Sequence, residues 1–279
     1  MNNSKVLIFG AGQINNLLVK KLISSGKSVL YVTDNFFGQA NNLKHRNLTF
    51  ISYRDIIFKE LKVETTIFSW RNENRVFENK STLLKWLESE TVHCEESFFL
   101  SSVSVYKDCD YPVTESNLNL ENNVENNSKF IVEKFLSGIM SKKNSNHINL
   151  RISNVYGPTL DYGLISNLLK SFSKGLDVKI FNNLNITRDY VFIDDVIFAI
   201  VSLIGLGVES GIINVSTGKG VPLYEILEIF STHKYNFGNY ISVPATTKIS
   251  SIVDCTKLSK IIDWNPFTIK NGIDIALGG

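Results

Sequence analysis

Cysteine is scarce and poorly spaced for cross-links or metal. The chain has three, Cys94, Cys109 and Cys255, an odd number with no C-x-x-C pair. That argues against a disulfide framework and a thiolate zinc site, and it suits a reducing cytosol. The four histidines (His45, His93, His147, His233) are scattered, and each reads as a surface or loop residue rather than a ligand. No metal is expected. An excess of one charge sign is also lacking, since 29 basic and 27 acidic residues leave a net +2. That balance gives no case for nucleic acid or a membrane surface as a partner. Long apolar runs are missing as well. The longest, Val196 to Val208, is shorter than the about 20 residues a bilayer span needs, and reads as a buried helix behind Asp194–Asp195. The first residues carry no basic-then-apolar signal pattern, so a cytoplasmic location is expected.

What is present is ample material for a core. With 279 residues and 43% hydrophobic content, one large domain, or a domain with a small appended lobe, is expected. Asparagine pairs such as Asn122–Asn123 and Asn126–Asn127 read as polar loop filler between apolar segments. Strands are expected at Lys5–Phe9, Ser28–Thr33, Leu48–Ser52, Thr65–Ser69, Ser97–Ser102 and His147–Ile152. Several are continuously apolar, as parallel strands covered on both faces require. Helical patterns alternate with them at Ile14–Ser24, Ser81–Glu90 and Ser128–Met140. In the last, Ile131, Phe135 and Ile139 share one face, with Phe130, Val132 and Leu136 beside it. This alternation predicts an α/β fold, a doubly wound parallel sheet of the Rossmann type. After Gly157–Pro158 the expected elements are a helix over Leu164–Ser173, strands at Asp177–Phe181 and Arg188–Ile193, and tail segments at Pro222–Phe230, Ile249–Val253 and Thr256–Ile262.

The first strand runs into Gly10-Ala11-Gly12-Gln13-Ile14-Asn15. Glycines allow a tight turn and let backbone N–H groups approach a pyrophosphate at a helix N-terminus. Gly10, Gly12, Gln13 and Ile14 are therefore cofactor-binding candidates, and Asn15 stands where a third glycine is usual. Asp34 follows the second strand, about 20 residues on, where a carboxylate can accept from adenosine ribose hydroxyls. Its charge disfavours a 2′-phosphate, which favours NAD over NADP. A turn glycine pair and a solvated aspartate in a non-binding protein is the other reading of the same residues. The expected division is residues 1–156 as the dinucleotide-binding domain, with 188–213 returning to it, and 157–279 as mainly a small C-terminal substrate-binding lobe.

Five further blocks occur in order along the chain. They are Phe99-Leu100-Ser101-Ser102-Val103-Ser104-Val105-Tyr106, Leu150-Arg151-Ile152-Ser153-Asn154-Val155-Tyr156-Gly157-Pro158, Arg188-Asp189-Tyr190-Val191-Phe192-Ile193-Asp194-Asp195-Val196, Ile213-Asn214-Val215-Ser216-Thr217-Gly218, and Asp254-Cys255-Thr256-Lys257-Leu258 with Trp264-Asn265-Pro266. Together they resemble the extended short-chain dehydrogenase/reductase family, of the NAD-dependent nucleotide-sugar epimerase/dehydratase type. The resemblance covers nearly the whole chain. It implies NAD as cofactor and a nucleoside-diphosphate sugar as substrate. It also implies that Ser102 hydrogen-bonds a sugar oxygen, Asn154 contacts the substrate near its diphosphate, and Arg188 pairs with the phosphates. On the residues alone, Ser102 could instead cap a strand end, and Asn154 and Arg188 could be a loop hydrogen-bonder and a solvated charge. Asp194 and Asp195 read as the start of a helix, stabilised by its dipole, rather than as an acid/base pair. Relatives of this type pair through helices matching Ser81–Glu90 and Ser128–Met140, so the resemblance implies a homodimer.

The pattern breaks at the acid/base pair. The family places a tyrosine four residues before a lysine, one helical turn apart. Lysine binds the nicotinamide ribose and lowers the tyrosine pKa, so that the phenol can shuttle a proton. Here Lys129 fits the lysine, with an acid downstream, and Glu125 occupies the tyrosine position. An ionised carboxylate accepts a proton but does not donate one, and a neighbouring lysine favours that ionised state. Glu125 and Lys129 read either as part of the catalytic set with Ser102 or as an exposed i,i+4 helix pair. Beside the expected fourth strand, Trp70 could crowd a pyrophosphate or Arg71 could bind one, and Lys248 is the nearest basic candidate for the tail. Two functions stand open. One is an NAD-dependent epimerase, dehydratase or reductase that moves a hydride at a sugar carbon. The other is a binding or regulatory protein that keeps the fold and nucleotide affinity without turnover.

Overall fold

The computed structural model describes residues 5–10, 12–33, 45–56, 60–69, 86–89, 92–106, 112–117, 128–181, 184, 186–233, 240–243 and 251–278. The strands are β1 (Lys5–Phe9), β2 (Ser28–Val32), β3 (Leu48–Ile51), β4 (Leu61–Phe68), β5 (Val92–Ser102), β6 (Asn146–Ile152), β7 (Asn154–Tyr156), β8 (Val178–Phe181), β9 (Thr187–Phe192), β10 (Gly211–Val215), β11 (Gly220–Pro222) and β12 (Tyr240–Val243). The helices are α1 (Gln13–Ser24), α2 (Tyr53–Ile56), α3 (Ser128–Lys142), α4 (Leu164–Lys174), α5 (Ile193–Leu203), α6 (Leu223–Ser231), α7 (Thr256–Ile261) and α8 (Ile269–Ala276). Most of the helix expected over 81–90 lies outside the described residues. The chain divides into two compact units. One comprises Met1–Val105, Glu121–Arg151 and Ile197–Ile213, the other Tyr106–Leu120, Ile152–Val196 and Asn214–Gly279.

The large sheet has seven strands in the order β10-β6-β5-β4-β1-β2-β3. The pairs β1 with β2, β2 with β3, β1 with β4 and β4 with β5 run parallel. The order turns back between β1 and β4, and the carboxyl ends at such a reversal are where open α/β sheets bind ligands. The strands are apolar because both faces are covered. Leu7, Phe9, Val32, Phe68 and Phe99 are fully buried, and Phe9 stacks on Phe68 with ring centroids 5.3 Å apart. Each such side chain contributes about 1.5–3 kcal/mol by leaving water.

Helix α3 packs on β5 with much of the face its spacing suggested, shifted away from Ile131. Val132, Leu136, Ile139 and Met140 are buried, whereas Ile131 is 41% exposed. Glu133 joins the buried face, its carboxylate bonded to Arg151 on β6. His147 is a second correction, for it is a buried strand residue rather than a surface one. Ser97 Oγ lies 2.8 Å from its Nδ1 and Asn149 Oδ1 lies 3.2 Å from its Nε2, so both ring nitrogens are satisfied inside. Burial pushes its pKa down to about 4. The apolar run after Asp195 also ends sooner than expected. Helix α5 stops at Leu203, ahead of Gly205 and Gly207 with φ of 81° and 65°, and Phe198 on it is 45% exposed.

The second unit holds a three-stranded sheet, β11-β9-β7, and the parallel pair β12-β8. β7 runs parallel to β9, and β11 antiparallel to it. Buried Phe192 lies edge-on to buried Tyr156, ring centroids 5.4 Å apart, and also touches the exposed Phe267 at 5.6 Å. Helix α8, absent from the sequence reading, is capped by Thr268, which accepts from the Asn271 N–H. At Gly272 on that helix a Cβ would fall 1.9 Å from the Tyr156 hydroxyl, so only glycine allows this packing.

Candidate functional site

The glycine loop leaves β1 at the sheet's reversal point. Gly10 has φ of 102°, a conformation side chains resist, and its N–H donates to the Val32 carbonyl at 3.2 Å. A Cβ there would sit 1.6 Å from the Ser69 carbonyl oxygen at the end of β4, so the close approach of the two strand ends requires glycine. Gly12 is the N-cap of α1, and a Cβ on it would meet nothing within 4 Å. No side chain caps α1 and no acid stands in its first turn. Its first turn therefore presents the helix dipole with no acid of its own, as a pyrophosphate needs. Gln13 and Ile14 form the half-buried first turn. Asn15 is fully buried, and its Nδ2 donates to the Gly10 carbonyl at 2.7 Å. It keeps the turn closed where a third glycine would have left space. These residues fit a dinucleotide. Asp34, Trp70 and Arg71 lie outside the described residues.

Ser102 ends β5. Its Oγ accepts the Ser104 N–H at 3.1 Å, a bond that uses a lone pair and not the hydroxyl proton. The strand-cap reading of Ser102 is therefore compatible with a role as donor. Lys129, on the first turn of α3, donates from Nζ to the Leu100 carbonyl at 3.4 Å and stands 5.3 Å from the Phe99 ring centroid. Both residues thus belong to the end of β5 and the start of α3, whereas Glu125, Tyr111 and Lys248 lie outside the described residues. Tyr106 is described, and its hydroxyl donates to Asn214 Oδ1 at 2.8 Å.

Beneath Ser102 and Lys129 lies a buried polar group that the sequence reading left without a role. Glu133, one helical turn after Lys129, takes the Arg151 Nη2 at 2.6 Å and Nε at 3.1 Å. Ser101 Oγ donates to the same carboxylate at 2.5 Å. Arg151 and Glu133 are both 2% exposed. The acid after Lys129 and the arginine of the Leu150–Pro158 block were visible as letters. Their pairing was not.

In the second unit, Asn154 opens β7 and Arg188 stands near the start of β9, both half-buried. Asn154 Nδ2 donates to the Asp189 carbonyl at 2.8 Å. Asp189 itself is fully buried, and its Oδ1 accepts from Ser153 Oγ, Thr217 N and Thr217 Oγ1 at 3.0–3.1 Å. Burial raises its pKa to about 6, against these hydrogen bonds. Asp194 and Asp195 stand in the first turn of α5, as expected. Asp195 does more than meet the dipole, since its Oδ2 accepts the Phe267 N–H at 2.9 Å and so ties down the tail. Among the described residues no group of three or more His, Cys, Asp or Glu could hold a metal, and no helix is long and apolar enough to cross a membrane.

Residues 6–216 match the model of the NAD dependent epimerase/dehydratase family. The chain belongs to this family. The match takes in the glycine loop, Ser102, Lys129, Asn154 and Arg188 together, and the family's cofactor is NAD. The chain is 28% identical to ADP-L-glycero-D-manno-heptose-6-epimerase of Brachyspira hyodysenteriae over 266 aligned positions, covering 84% of this chain and 83% of that one. It is 27% identical to a putative UDP-glucose 4-epimerase of Methanocaldococcus jannaschii, covering 95% and 94%. Among solved structures, UDP-glucose 4-epimerase of Thermotoga maritima with UDP-glucose superposes at a TM-score of 0.77 and 23% identity, covering 98% and 97%. That likeness bears on the fold.

Proposed function

We propose that this member of the family acts on a nucleoside-diphosphate sugar, moving a hydride at a sugar carbon with NAD. The observation that carries this reading is the family match, which spans the glycine cradle and the Asn154 and Arg188 blocks in one alignment. NAD, when bound, supplies the hydride acceptor and donor. Gly10, Gly12, Gln13 and Ile14 at the amino end of α1 hold its pyrophosphate, Asp34 its adenosine ribose, and Lys129 its nicotinamide ribose. Arg188 and Asn154 bind the substrate diphosphate, where a planar guanidinium can bind two oxygens at once. Ser102 donates a hydrogen bond from its hydroxyl to the sugar oxygen. Glu125 is the weak member, since a carboxylate next to lysine is a poor proton donor. Slow turnover follows. The second reading rests on that same residue: a protein that binds nucleotide or nucleotide sugar and regulates, without catalysis.

Thermal unfolding tests the substrate class. A ligand at 100 times its Kd stabilises by about 2.7 kcal/mol. UDP, dTDP or ADP should raise the melting temperature, and Arg188→Ala should remove that shift while keeping the one from NAD. No shift with any of the three nucleotides in the wild type would end the nucleotide-sugar reading.

A further inference from the structure

We infer that Asp189 is the positioning residue for the diphosphate grip, its carboxylate fixing the register that turns Arg188 and Asn154 toward substrate; this rests on the reading above. Successive strand residues point to opposite faces, so the direction of Arg188 is set by where its neighbour goes. Asp189 goes fully inside. There its Oδ1 gathers Ser153, the residue before β7, and Thr217, the residue two past β10. Its backbone is held as well. The N–H donates to the Ser251 carbonyl at 2.9 Å and the carbonyl accepts Asn154 Nδ2 at 2.8 Å. One residue therefore joins four separate segments of the second unit, and two of its immediate partners are Asn154 and the residue before it.

An apolar side chain in this place would fill the space more cheaply, since burying a carboxylate is costly. It would not supply direction. Three donors converging on one oxygen fix the rotation of β9 about its axis, which nonspecific packing leaves loose. A slip of one residue would send Arg188 inside and Asp189 out. The carboxylate also opposes a bound diphosphate by its charge, so a purely electrostatic role predicts that removing it tightens nucleotide binding. The positioning role predicts the reverse.

Calorimetric titration with UDP, dTDP and ADP, and separately with NAD, decides. Asp189→Ala should weaken the tightest of the three nucleotides by about tenfold or more, the worth of one or two hydrogen bonds, and leave NAD affinity unchanged. Asp189→Asn, which keeps an acceptor oxygen for the three donors, should restore most of the nucleotide affinity. If Asp189→Ala does not fold, Ser153→Ala with Thr217→Val, which removes two of the three donors, should give the same selective loss. Unchanged or tighter nucleotide binding in Asp189→Ala, or in the double variant, overturns the inference. So does failure of Asp189→Asn to restore it. A wild type that binds none of the three overturns the substrate reading and this inference with it. A wild type whose binding is lost in Arg188→Ala but unaffected at Asp189 overturns the inference alone.

Discussion

Arg151→Met removes a buried guanidinium and, among the described residues, leaves the Glu133 carboxylate with the Ser101 hydroxyl. Both partners are 2% exposed, so water does not reach the stranded charge. Breaking a buried pair from one side costs about 3–5 kcal/mol. For a chain of this size each kcal/mol shifts the melting temperature by about 2–4 °C, so the expected loss is about 6–20 °C. The double variant Glu133→Leu/Arg151→Met removes both charges and should recover most of that loss, because well-packed apolar replacements are often neutral. The functional consequence is separate. Ser101 adjoins Ser102 and Glu133 lies one turn from Lys129, so the single variant should also weaken NAD binding. Scanning calorimetry at neutral pH, with and without NAD, measures both. A single variant that loses less than about 1 kcal/mol, the range of an exposed pair, would refute the reasoning. So would a double variant no more stable than the single one.

Acid stability should depend on His147. Its pKa is about 4 in the fold and about 6.5 when unfolded, so the unfolded chain binds the extra proton. Its contribution is complete above the unfolded pKa and is lost as pH falls from there toward 4, by roughly 3 kcal/mol. Asp189 works in the opposite sense, because its folded pKa of about 6 exceeds its unfolded one and stability is gained as pH falls through 6. In urea titrations from pH 7 to 4.5, His147→Asn should therefore gain on the wild type as pH falls; a widening deficit would contradict this. Gly10→Ala must place a Cβ 1.6 Å from a backbone oxygen at φ of 102°, and should cost about 2–4 kcal/mol and most of the NAD affinity. Wild-type NAD binding in that variant would show that the loop opens freely. NAD should bind more tightly than NADP, with Asp34→Ala weakening NAD; equal affinities by calorimetry would remove Asp34 from the cofactor site.

Six of the seven strands of the large sheet were legible because several are continuously apolar and helical patterns separate them, whereas β10 was not read as a strand. Lys5–Phe9 and the glycines after it appear as read, and the chain's short-chain dehydrogenase/reductase character is carried by blocks that the family match spans. Strands such as β7 and β11, with three residues each, are too short to show a period of two. Helix α8 announces itself through Thr268, a cap whose partner is one backbone N–H. On α3, Val132, Phe135, Leu136 and Ile139 pack inward as their spacing suggests, but hydrophobicity alone ranks the exposed Ile131 above the buried Glu133. Glu133 goes inside because it pairs with Arg151, 18 positions away. Asp189 was hidden for a similar reason. It belongs to the block that carries the resemblance, but its partners Ser153 and Thr217 come from distant segments.

The most direct measurement is single-turnover absorbance of reduced nicotinamide after NAD-loaded protein meets UDP-, dTDP- and ADP-sugars, in the wild type and in Glu125→Tyr. General acid–base groups contribute about 100- to 10,000-fold. Hydride transfer on a nucleotide sugar predicts slow reduction by at least one sugar in the wild type, and a much faster rate once a phenol stands four residues before Lys129. No reduction by any sugar in either protein would contradict it. Fast wild-type turnover abolished by Glu125→Gln would contradict the assignment of Glu125 as the weak member.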